Sequence, residues 1–105
     1  MMALGADLVA DDRVAIVRHA DTVTMSAPPS IAGQIEARFV GILTVEPAPP
    51  TRLSLVVDMA RPAEARLPQA ETITILGCDI PLIPGADVPN LAEALFVLLD
   101  GPHPL

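Results

Sequence analysis

The side chains equipped for chemistry are few and fall in four places. Arg18-His19 closes the apolar, β-prone run 14–17. A guanidinium can grip a phosphate with two hydrogen bonds while an imidazole attacks it, so a strand-end Arg-His pair suits phosphoryl transfer. His19 and Asp21, with His103, could offer donors to a metal. Two ligands from one strand end do not complete a site, and no known ligand spacing joins the three. Cys78-Asp79 follows Gly77, but a reactive thiolate needs a positive neighbourhood. No basic residue lies between Arg66 and His103, so Cys78 reads as a small core residue. Gly85-Ala86-Asp87 precedes a helical pattern, where a Gly-rich turn could cradle phosphate. Asp87 occupies the anion's place there and Pro89 removes a donor. No Walker, Rossmann or Gly-x-Ser-x-Gly pattern occurs. These residues imply no metal and no cofactor.

The segment Val14-Ala15-Ile16-Val17-Arg18-His19-Ala20-Asp21-Thr22 resembles the opening of the histidine phosphatase (phosphoglycerate mutase-like) family. There a first strand ends in Arg-His-Gly. The resemblance implies that His19 would be phosphorylated and that Arg18 would bind the phosphate. It also implies a larger α/β domain with a helix soon after, a further Arg, a carboxylate acid and a second His. The match departs at Ala20, where the family has Gly. Residues 23–29 do not read as that helix, and the second His, His103, lies in a Pro-flanked tail. A phosphohydrolase built on Arg18-His19 therefore ranks below a strand end whose Arg and His face solvent.

Composition points elsewhere. Hydrophobic residues make up 51% of the 105 and charged residues 18%, with no Lys, Trp or Tyr. Average domains carry roughly 25% charged residues, and a small domain, with much surface per volume, should carry more. Part of the apolar surplus must then lie outside, where large apolar patches mark partner surfaces. A net charge of −7 disfavours nucleic acid and anionic membranes. With Phe39 and Phe96 as the only aromatics, stacking on bases is disfavoured too. The single Cys excludes an intrachain disulfide. The N-terminus has no basic stretch and meets Asp7 early, unlike a signal peptide. The charge-free run 22–35, broken by Pro28-Pro29, is too short to cross a bilayer. The expected compartment is the cytoplasm.

Twelve prolines divide the chain into short strands, because proline cannot donate to a ladder. Residues 13–19 and 22–25 read as strands around Ala20-Asp21. Residues 34–45 read as one strand, with Ile35, Ala37, Phe39, Leu43 and Val45 on one face and Val40 and Ile42 on the other. Apolar on both faces at its far end, it should be central and best protected, with Phe39 buried and Gly41 at a bulge or close approach. Residues 46–52 read as a rigid hairpin connection, 53–59 as its return, and 60–70 as a polar surface loop. Residues 72–76 form a strand that Gly77 breaks. Residues 78–83 form another, which Pro81 should confine to an edge or bulge. From Leu91 to about Asp100 the spacing predicts a helix, with Asn90 as N-cap, Glu93 at N3 and Gly101-Pro102 as its stop. Its stripe is Leu91, Ala94, Leu95, Leu98 and Leu99. Phe96 and Val97 opposite suggest burial on two sides, the second against another chain.

The expected fold is mainly β: about six short antiparallel strands in a sheet, sandwich or small barrel, with one C-terminal helix, or else α+β. It should be a single domain over 1–105, with 1–12 an arm or short helix and 101–105 a tail. The leading functional expectation is a non-enzymatic structural or assembly protein, for which a virion or particle component is one example. It would form homo-oligomers or hetero-complexes through an apolar surface containing Phe96, Val97, Val40 and Ile42. A small accessory or regulatory protein-binding module is the alternative, and the Arg18-His19 phosphohydrolase comes third.

Overall fold

The computed structural model describes residue 2, residues 5–63 and residues 70–100. The predicted class holds: these residues are mainly β, in three small sheets, with a C-terminal α-helix. They form eight strands rather than six: β1 (Ala15–His19), β2 (Thr22–Ser26), β3 (Gln34–Ala37), β4 (Gly41–Thr44), β5 (Thr51–Arg52), β6 (Val56–Pro62), β7 (Glu71–Ile75) and β8 (Cys78–Ala86). Helix α1 spans Leu91–Asp100. No helix among the described residues is long and apolar enough to cross a membrane. Backbone proximity divides the chain into two compact units, one of residues 1–6, 55–73 and 80–105, the other of 7–54 and 74–79.

In the second unit, β2 lies between β1 and β5, both antiparallel to it. Ala20-Asp21 is the two-residue turn joining β1 to β2, with His19 opposite Thr22. Flanked on both sides, β2 carries Val23, which is fully buried, while β1 is exposed along its length. The segment 46–52 is not a hairpin connection. It delivers β5 to β2, with Thr24 opposite Arg52 and Met25 opposite Thr51, and the Leu53 N–H donates to the Val23 carbonyl at 2.8 Å.

Residues 34–45 correct the sequence reading most sharply. They are not one central strand but a two-stranded hairpin, β3–β4, with Ile35 opposite Leu43 and Ala37 opposite Gly41. The Val40 N–H donates to the Ala37 carbonyl at 2.9 Å, and Phe39 sits in the left-handed region at φ 70°. Turns of this kind favour Gly or Asn at that place, so the sequence gives no turn signal. Phe39 is 100% exposed instead of buried. Gly41 has nothing within 4 Å of where a Cβ would stand, so it marks no close approach. At the hairpin's open end Gly33 is buried, and a Cβ there would meet the Val45 carbonyl at 2.6 Å. That carbonyl's own residue donates its N–H to the Gly33 carbonyl at 2.7 Å.

The third sheet has the order β6-β8-β7. β8 is thus the middle strand despite Pro81, and its pairing with β6 is parallel, not antiparallel. β6 joins at Val56–Leu82, one residue past Pro81, and the register shifts after Asp58 opposite Pro84. The missing donors therefore fall before and at the end of the regular ladder. β6 also continues to Pro62, into the expected loop 60–70; residues 64–69 of that loop lie outside the described residues. In α1, Leu91, Ala92, Leu95, Phe96 and Leu98 are half-buried, while Ala94, Val97 and Leu99 are exposed. The packed stripe is rotated toward Phe96, whose ring comes within 3.8 Å of where a Cβ on Gly5 would stand. Within its own unit, α1 is covered on the side that carries Leu91, Leu95, Phe96 and Leu98. Asn90 has φ 55°, and its carbonyl accepts the Ala94 N–H at 3.0 Å.

Candidate functional site

Arg18 and His19 end β1 exposed, as expected of a solvated strand end. Arg18 is committed to the backbone: its Nε donates to the Ala20 carbonyl at 2.8 Å and its guanidinium to the Leu76 carbonyl at 2.9 Å. Leu76 and Gly77 both have positive φ, 51° and 80°, and form the two-residue turn between β7 and β8. Thr22 adds a bond from its Oγ1 to the His19 carbonyl at 3.0 Å. A phosphate at Arg18 would have to displace these carbonyls. Among the described residues, no group of three or more His, Cys, Asp or Glu converges as metal ligands would. His103 lies outside the described residues. Cys78 is buried and free, the core residue its surroundings predicted. Asp79 is occupied by Thr74, whose Oγ1 donates to it at 2.7 Å. Of the interface guesses, Val40, Ile42 and Val97 are 76%, 71% and 62% exposed, and Phe96 is half-buried in its own unit.

The structure gathers a different set. Asp11 Oδ2 accepts the Glu36 backbone N–H at 2.9 Å, which ties the acidic pair Asp11-Asp12 to the outer edge of β3. There a hollow of about 130 Å³ forms, with Ile31, Ile35 and Ile42 beside Asp11, Asp12 and Glu36. A largely apolar lining with carboxylates among it can hold an apolar group while a carboxylate accepts a proton or a cation. Sequence spacing does not reveal this: Asp11 and Glu36 are 25 residues apart and meet only through the fold. An adjacent acidic pair just ahead of a strand was the available signal.

The chain matches no protein-family model and no curated protein. Its fold is similar to the solved structure of the Hpr(Ser) kinase/phosphatase from Coxiella burnetii, with a TM-score of 0.79 and 23% identity. That likeness covers 94% of this chain and 69% of the other. At this identity it establishes a shared fold.

Proposed function

We propose that this chain is a phosphotransfer domain acting on a protein serine or its phosphate ester. The observation that carries the reading is the likeness to Hpr(Ser) kinase/phosphatase across nearly the whole chain. The hollow at β3 supports it. In the forward direction a serine Oγ attacks the terminal phosphorus of a nucleoside triphosphate, the bond to the diphosphate breaks, and the serine proton passes to a carboxylate. In dephosphorylation, water attacks the phosphorus of phosphoserine, the bond from phosphorus to the serine Oγ breaks, inorganic phosphate leaves, and the serine oxygen takes up a proton. Asp12 is the residue for proton transfer, since Asp11 already accepts the Glu36 amide. The 105 residues contain no Walker loop and no Lys, so other groups must hold the nucleotide's phosphates. The phosphohydrolase expectation thus keeps its class of chemistry but moves from Arg18-His19 to Asp11, Asp12 and Glu36.

The test is incubation with labelled ATP and Hpr, and separately with phosphoserine-Hpr, reading label on serine and free phosphate. Turnover that Asp12→Asn abolishes, in a protein still folded, is the expected result. No transfer in either direction would overturn this reading. A second reading, a non-enzymatic assembly domain on the same fold, is favoured by the exposed apolar tip of β3–β4 and would then take its place.

A further inference from the structure

The β3–β4 tip presents Arg38, the fully exposed Phe39 and Val40, and a bulky side chain at positive φ is an outlier that calls for a reason. Three residue steps back along the same hairpin, roughly 10 Å at strand spacing, lies the hollow whose lining includes Ile31, Ile35 and Ile42. Its volume, about 130 Å³, is close to the roughly 150 Å³ apolar cavity that accepts a benzene ring. Its lining also includes Asp11, Asp12 and Glu36, opposite in charge to Arg38. We infer that the occupant is a second copy of this chain: each copy seats Phe39 in the other's hollow, with Arg38 facing Asp12. Knob and hollow on one element satisfy a two-fold, self-complementary contact. A seated ring closes the hollow to substrate, so under the phosphotransfer reading the paired form is the resting one. Association is measured without substrate, so the two readings fail separately.

Light scattering on the 105-residue chain over a concentration series is the experiment. The wild type should pair. Phe39→Gly should lose pairing, while its melting temperature, compared at a dilution where both proteins are monomeric, rises because Gly accepts the turn's φ without strain. Arg38→Glu and Asp12→Arg should each weaken pairing by roughly tenfold or more, and together restore it. A wild type that stays monomeric at high concentration would overturn the pairing. Pairing that survives Phe39→Gly, or a double charge swap that fails to recover, would do the same.

Discussion

The two hairpins of the second unit have strands of similar length and opposite fates. In β1–β2 the polar-looking strand TVTMS holds the fully buried Val23, because β1 and β5 flank it and Arg18 and Thr22 fasten its turn. In β3–β4 the more apolar sequence has no third strand among the described residues, and β4 is exposed throughout. Hydrophobicity alone therefore did not select the core. A strand is buried when neighbours cover it, and a turn that needs φ 70° at Phe39 turns the most apolar run outward.

Substitutions at the two hairpins should separate these roles. The largest effect belongs to Val23→Asp. An unpaired charge in a fully buried site costs several kcal/mol, enough to abolish the cooperative denaturant transition of a domain stable by about 5–15 kcal/mol. Phe39→Asp, by contrast, should shift the transition by no more than about 0.5 kcal/mol. Equal losses from the two would break the comparison.

Arg18→Met comes next. It removes both carbonyl contacts and should cost about 1–2 kcal/mol, with faster amide exchange at both turns that Arg18 joins. Phe39→Gly is smaller and opposite in sign, a gain of about 1 kcal/mol from relief of the left-handed conformation. Denaturant midpoints of the monomeric species measure both.

Some of this architecture was legible in the residues. Ala20-Asp21 separates two β-prone runs by two residues, Gly77 marks the break between β7 and β8, and α1 follows from the apolar spacing of 91–100. The β3–β4 turn was hidden because Arg38-Phe39-Val40 contains no turn-forming residue, so the apolar alternation read straight through it. The central place of β8 was hidden for another reason. Pro81 argues for an edge only when ladder bonds are required at that residue, and β6 begins its pairing one residue later. The site was hidden by distance along the chain, since the Asp11–Glu36 contact has no local signature.

The smallest effect lies in the first unit and serves as a control on both hairpins. The bidentate hydrogen bonds from Arg61, at 2.9 and 3.1 Å, hold the Glu71 carboxyl below its ordinary pKa, aided by the guanidinium's charge. A depressed folded-state pKa stabilises above the unfolded value, and that contribution is lost as pH falls through the folded one. Glu71→Gln should make stability fall less steeply on acidification and leave exchange at Val23 and Phe39 unchanged. An unaltered acid limb would show that this exposed pair contributes nothing measurable.

Residue-resolved amide exchange at low protein concentration tests most directly which hairpin is core and which is surface. Core strands open only near global unfolding, while exposed hairpins open locally. The amides of β2 around Val23 should exchange among the slowest in the second unit, and residues 38–43 among the fastest. Slow exchange across 38–43 in the dilute monomer, with fast exchange at β2, would contradict the account.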